Sequence, residues 1–361
     1  MSTPPLGPWM QHLGGHSSHE TYRPTTDTSV GNSIKRLNSD IGKPMNSVIT
    51  TEDPSSTTAQ GGAMNEQKVT KNTRDVFVLS GGASRGAVQV GMMQTLIEAG
   101  IVPDGLVGSS VGALNAAFMG WQPGPERVSK LADQWLRLQT RDIFPGGNWT
   151  RLSHLARRHS YLFDSYALSS LIHAWVPVRN LEELTVPVRI TTTPLASCAA
   201  KYHDRGPIEK ILLASAAVPG VFEPVELVDE DGARSTHVDG GVADLIPVAG
   251  TVALAPTRVF VLDATVPVRI PRARTPIEIL IASLGIAVRV RPMPDLGPDV
   301  EVHHLTAPDL GTGMIDFSRS AEHIALGRKV AAELVESLGV KPAPLTDRPH
   351  RFWDRFSKSA A

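Results

Sequence analysis

DVFVLSGG at residues 75–82 is a β-branched apolar run closed by two glycines, and it passes into a proline-free stretch, 83–99, with apolar residues at helical spacing. GIVPDG then makes a turn, LVG supplies a second short buried strand, and 111–120 reads as a helix of mostly small residues. A strand, helix, strand unit of this kind closes as a right-handed crossover between neighbouring parallel strands, so the carboxyl ends of both strands meet at one sheet edge. Further on, VPVRITTT (186–193), STHVDGG (235–241), RVFVLDA (258–264) and DVEVHHL (299–305) each read as strands, with helical stretches between several of them. That alternation predicts an α/β layer sandwich around a mainly parallel sheet.

The chain of 361 residues, 41% hydrophobic and with a formal net charge of -1, holds enough apolar material for one sizeable core. This balance gives no broad electrostatic footprint for nucleic acid, which is therefore not an expected partner. Cys198, the single cysteine, leaves no intrachain disulfide and no cysteine-rich metal site, and fits a reducing, cytoplasmic compartment. ILIASLGIAV at 279–288 falls short of the roughly 20 residues of a membrane-spanning helix, and the first residues lack a secretory pattern. Residues 1–74 are rich in Ser, Thr, Asn, Gly and Pro without a sustained period, and read as a disordered extension. The domain is expected over 75–340, followed by a tail, 341–361, in which Phe352, Trp353 and Phe356 share one helical face beside Arg and Lys. That tail reads either as a membrane-surface contact or as a segment docking on its own domain.

The spacing of Gly108, Ser110 and Gly112 fits G-x-S-x-G between a predicted strand and a predicted helix, with Ser109 as spacer. A sharp strand-to-helix turn pushes the central side chain out of the sheet edge, and the following helix N-terminus favours developing negative charge. A bare tight turn of small residues explains the pentapeptide equally well. At the end of the preceding strand, GGASRG (81–86) comes to the same edge and offers backbone N–H groups for an oxyanion. A phosphate loop competes for this stretch, although neither G-x-G-x-x-G nor a following Gly-Lys-Ser/Thr is present. A serine hydroxyl needs a proton acceptor, and Asp239, at a strand end before Gly240 and Gly241, is the best candidate. Taken alone, an Asp-Gly turn more commonly just caps the backbone.

Together, LSGGASRGAVQVG, GSSVGALNA and VDGGVADLIPV resemble the patatin-like phospholipase family in its glycine-rich oxyanion segment, nucleophile elbow and Asp-Gly-Gly segment. YLFDSYALSSLI (161–172) and SAAVPGVFEPV (215–225) resemble, more loosely, segments flanking its substrate side. The resemblance spans about 75–338 and implies a three-layer α/β/α fold. It implies a Ser-Asp dyad, with Ser110 attacking an ester carbonyl and Asp239 taking and returning the proton. It also implies an oxyanion hole drawn from Gly81, Gly82, Ala83, Arg85 and Gly86. The sequence shows no metal constellation with convincing spacing, so no cofactor or metal is expected. Ala83 stands where the family commonly has a third glycine, and a backbone donor there is expected to survive if the residue keeps a negative φ. The implied substrate is an acyl ester in a lipid, of phospholipase A or lysophospholipase type.

Two other readings accompany this one. An α/β-hydrolase triad would use His303, His304 or His323, which follow Ser110 in chain order, although an elbow on the second strand leaves little room for the usual preceding strands. A catalytically silent lipid-binding module would keep the fold alone. The apolar run 279–288 reads as core or as cover for an acyl site. Arg151, Arg157, Arg158 and His159 read as a solvated face or as an attraction to an anionic membrane surface.

Overall fold

The computed structural model describes residues 73–340 apart from 145–160, 198, 230, 311–314 and, between 266 and 291, all but positions 279, 283, 286 and 287. The expectations for the extension up to 72, the tail after 340, Cys198, the basic cluster at 151–159 and most of the apolar run 279–288 lie outside the described residues.

Strand β1 (Asp75–Leu79) is buried along its whole length and sits at the centre of the sheet. A 3-10 turn (Ala83–Arg85) leads into α1 (Gly86–Glu98), and β2 (Gly105–Ser109) then runs parallel to β1. Helix α2 (Val111–Met119) follows after one residue, then α3 (Pro125–Arg137) and the short α4 (Thr140–Ile143). Beyond these come β3 (Tyr161–Phe163), α5 (Tyr166–Trp175), β4 (Val188–Pro194), β5 (Lys201–His203) and α6 (Ile208–Ser215). The chain continues through β6 (Gly220–Phe222), β7 (Val225–Val228), β8 (Arg234–Asp239), β9 (Arg258–Asp263), β10 (Glu301–Thr306) and α7 (Ser320–Ser337).

The main sheet has the order β10-β9-β1-β2-β4-β8-β7, with β5 also paired to β4. Strands β10, β9, β1, β2 and β4 are mutually parallel, whereas β5 and β8 pair antiparallel to β4 and β7 antiparallel to β8. This is the mainly parallel α/β sheet expected from the alternation of elements. Its antiparallel margin arises because β4 runs on past the carboxyl edge of β2. Ile190 to Thr192, in the middle of β4, pair with β5, and its last residues, Thr192 to Pro194, pair with β8. The two segments that resemble the substrate flank find each other: β3 and β6 form a separate parallel pair, Tyr161 opposite Gly220 and Phe163 opposite Phe222.

Alternation along the strands decides which core each side chain joins. Phe77, Leu79, Leu106, Phe260 and Leu262 belong to the large core shared with α1, α2 and α7, each worth about 1.5–3 kcal/mol when fully buried. Val78, Val259 and Val261 face the other way, against Val248 of a 3-10 segment (Val248–Leu254), with Leu296 and Val300 nearby. On the helical side α1 and α7 cross closely, since a Cβ on Gly91 would overlap the Ile324 carbonyl and one on Gly327 the Val88 carbonyl. Arg328 of α7 grips Glu98 of α1 with two hydrogen bonds, 2.9 and 2.7 Å.

Candidate active site

Ser110 is the single residue between β2 and α2, with φ 55° and ψ −126°. A side chain with positive φ costs about 1–3 kcal/mol, and surrounding contacts must hold it there. The glycines on either side allow the turn to be this sharp. A Cβ at Gly112 would overlap the carbonyl oxygen of Leu79, and one at Gly108 would overlap that of Gly112. The spacing of Gly108 and Gly112 therefore brings the amino end of α2 against the carboxyl end of β1. Ser110 is half-exposed, while Ser109 is fully buried and its hydroxyl has no hydrogen-bond partner among the described residues. Burial separates the two adjacent serines into one available side chain and one spacer.

The glycine turn after β1 lies beside this elbow, and a Cβ built on Gly81 would come 3.2 Å from Ser110 Cβ. Its backbone donors are not equivalent. Gly81 N–H donates to the Leu245 carbonyl at 2.9 Å, Arg85 N–H to Gly82 at 3.2 Å, and Gly86 N–H to Ala83. Gly82 and Ala83 N–H have no acceptor among the described residues, and neither does Val111 N–H at the start of α2. Ala83 does not keep the expected negative φ: its φ is 52°, the left-handed backbone that a glycine would adopt freely, yet its N–H stays without an acceptor among the described residues, so the donor does not depend on that condition. Arg85 is buried at 3% exposure.

Asp239 reaches the elbow from the antiparallel side. Ser109 is in register with Thr191, and the next residue of β4, Thr192, is in register with Asp239, so the carboxylate arrives level with Ser110. Ser110 Oγ donates to Asp239 Oδ2 at 2.7 Å, and Gly241 N–H donates to Oδ1 at 2.7 Å. Thr193 Oγ1 donates to the Asp239 carbonyl at 2.8 Å and accepts from Ala243 N–H at 3.1 Å. Gly240 packs so tightly that a Cβ would overlap the Thr191 carbonyl. Burial pushes the Asp239 carboxyl up to about 7, against the opposing effect of the Ser110 and Gly241 hydrogen bonds. A buried carboxyl pushed near neutrality thus touches the half-exposed serine.

The three histidines of the triad alternative are engaged elsewhere. His303 stacks on Phe260 with ring centroids 5.0 Å apart, and His304 Nε2 lies 3.2 Å from Asp263 Oδ2. His323 is buried in α7 against the backbone of Ser84, and burial holds its pKa below the ordinary value. The recorded partner of the Ser110 hydroxyl among the described residues is Asp239.

Several supporting residues escape the motif reading. Trp135 Nε1 donates to Asn115 Oδ1 at 2.9 Å, and Asn115 Nδ2 donates to the Gly86 carbonyl at 3.1 Å and to Gln89 Oε1 at 2.9 Å. Gln89 Nε2 donates in turn to the carbonyls of Ser80 at 2.8 Å and Leu262 at 3.1 Å. Both ends of the glycine turn are thereby tied to one buried, hydrogen-bonded chain of amides. The available signal was an Asn and a Gln on otherwise apolar, wholly buried helix faces. Ser215, whose Oγ accepts the Ser110 N–H at 3.0 Å, gives a similar signal as a buried polar residue on the apolar face of α6.

Among the described residues, no helix is long and apolar enough to cross a membrane. Residues 77–252 match the family model for patatin-like phospholipase. Neuropathy target esterase sws of Drosophila persimilis is 28% identical over 172 residues, which is 47% of this chain and 11% of that protein. The human patatin-like phospholipase domain-containing protein 6 is 27% identical over the same length, covering 47% of this chain and 12% of its own. The chain thus spans only about an eighth of these relatives. Among solved structures, VipD from Legionella pneumophila aligns with a TM-score of 0.39 and 13% identity, over 73% of this chain and 67% of that one. The match at 77–252 and the relatives that share it make this part of the chain similar to patatin-like phospholipase domains.

Proposed function

We propose that this domain is a serine acyl hydrolase that cleaves ester bonds in lipids, of phospholipase A or lysophospholipase type, with Ser110 as nucleophile and Asp239 as its base. The observation that carries the proposal is the 2.7 Å hydrogen bond from Ser110 Oγ to a carboxylate pushed up to about 7. Gly241 N–H occupies Oδ1 and leaves Oδ2 to take the serine proton. As the proton leaves, Ser110 Oγ forms a bond to the ester carbonyl carbon and the carbonyl electrons move onto oxygen. The uncommitted N–H groups of Gly82, Ala83 and Val111, at the amino end of α2, are the donors available for that oxyanion. Gly81, Arg85 and Gly86 shape the turn instead, since their N–H groups are committed. Collapse expels the alcohol with the proton returned from Asp239, and a water activated by the same carboxylate hydrolyses the acyl-enzyme. Histidine has no part in this cycle.

The lipid substrate class is supported by the family description and by the names of the relatives, a phospholipase-domain protein and an esterase. Peripheral contact with a membrane surface, where such substrates lie, belongs to the same reading, and so does an autonomous hydrolase domain over 75–340. The test is a hydrolysis panel of phospholipid, lysophospholipid, neutral glyceride and short-chain ester, with wild type and Ser110→Ala in parallel. Ester cleavage that disappears in Ser110→Ala is the expected result. A fold without Ser110-dependent cleavage of any member, and without labelling by a serine-directed phosphonate, would instead mark a lipid-binding module.

A further inference from the structure

One short segment touches both members of the Ser110 and Asp239 pair. Ser215, the last residue of α6, accepts the Ser110 N–H through its Oγ at 3.0 Å. Two residues later, the Ala217 carbonyl accepts the Asp239 N–H at 2.9 Å. Both bonds go to the backbones of the reacting residues, so they leave the Ser110 hydroxyl and the Asp239 carboxylate free for each other. Ser215 is fully buried and Ala217 is 1% exposed, so water does not compete for either contact.

The Ser110 N–H has particular need of such a partner. Ser110 lies past the end of β2, and at the start of α2 only its carbonyl joins the helix, accepting from Ala113 and Leu114, so an outside acceptor must satisfy its N–H. Asp239 likewise stands at the end of β8, where strand pairing stops. From these contacts we infer that residues 215–217 form a bracket setting the separation between Ser110 Oγ and Asp239 Oδ2, with Ser215 as a positioning residue for the reaction. The inference rests on the hydrolase reading above. Without the Ser215 acceptor the elbow relaxes toward ordinary backbone angles, and the hydroxyl swings off the carboxylate. That changes Asp239 as well, because the Ser110 hydrogen bond holds its proton affinity down. The ionisable groups along the packed strands include Lys201 on β5, which is ion-paired with Asp229, and two histidines, His237 on β8 and His203 on β5, both hydrogen-bonded to Thr192 Oγ1 at 2.8 Å. Burial keeps both of them low, His203 at about 4, so neither supplies a charge that mimics the effect near neutrality.

The experiment measures kcat, KM and the pH dependence of kcat for wild type, Ser110→Ala, Ser215→Ala and Ser215→Cys on one acyl ester. Ser215→Ala is expected to lose about 10- to 100-fold in kcat, the scale of a small misplacement of reacting groups, with KM unchanged. Its acidic limb is expected to move to higher pH, which a smaller folded fraction would not cause. Ser215→Cys keeps the bulk of the side chain but is a weak acceptor, and is expected to fall between Ala and wild type. Full kcat and an unmoved limb in Ser215→Ala, or a loss explained entirely by less folded protein, would overturn the bracket alone. Absence of Ser110-dependent turnover in the wild type would overturn the hydrolase reading, and the positioning role with it.

Discussion

Ser110 and Asp239 meet across 2.7 Å but are delivered by different kinds of structure. Ser110 comes from a local device: β1, α1, β2 and α2 are consecutive, the strands are parallel, and the glycine spacing is imposed by backbone against backbone. Asp239 comes from β8, which runs antiparallel to β4 and is held in place by partners far away in the chain, Thr193 and Ala217. The Ser110 half is therefore set by short-range geometry, whereas the Asp239 half depends on how the margin of the sheet assembles.

The largest expected effects are on chemistry and remove one half at a time. Ser110→Ala should lower ester hydrolysis by at least about 10⁴-fold, as loss of a nucleophile does in serine hydrolases, and Asp239→Asn should cause a loss of similar scale. The two differ in stability. The folded pKa of Asp239, about 7, is raised above its unfolded value, so the native state binds the extra proton between about pH 4 and 7. Stability contributed by this group is thus present below about pH 4 and lost as pH rises toward 7. Asp239→Asn should remove that slope and be the more stable protein at pH 8, by a few kcal/mol, in urea titrations at several pH values. Ser110→Ala should keep the slope.

Glycine substitutions sharpen the contrast at an intermediate scale. Gly112→Ala drives a Cβ into the carbonyl oxygens of Leu79 and Ser80, whereas Gly241→Ala meets the flexible end of Leu245 and, at 3.0 Å, an oxygen of Asp239. Gly112→Ala should destabilise by more than about 3 kcal/mol, the larger of the two effects by thermal or urea unfolding. Gln89→Leu should cost about 2 kcal/mol, because it strips the Ser80 carbonyl and the Asn115 amide of buried partners. The smallest change is a gain. Ala83→Gly should raise stability by about 0.5–1 kcal/mol, since it relieves a left-handed alanine at φ 52° while loosening the unfolded chain.

The same contrast explains what could be read in advance. The strand, turn and helix signals of 75–120 are local, and β1, α1, β2 and α2 fall where periodicity and glycine placement put them. Strand β8 also lies within its motif, but its antiparallel entry is a consequence of β4 overrunning the edge, which no local pattern in STHVDGG encodes. Short β5, β6 and β7 carry too few residues to show a period. Gly81 has its N–H committed to Leu245, a partner 164 positions along that the motif does not specify. Ser215, Gln89 and Asn115 act through contacts between elements, so the residue types were visible while their partners were not.

The most direct test of the pairing is the pH dependence of kcat/KM for an acyl ester, which reports ionisations of the free enzyme. A single acidic limb should appear near pH 7, where burial places Asp239, and no comparable limb should remain in the residual activity of Asp239→Asn. An unchanged limb in Asp239→Asn, or its disappearance on substituting His303, His304 or His323, would contradict the assignment of Asp239 as the base.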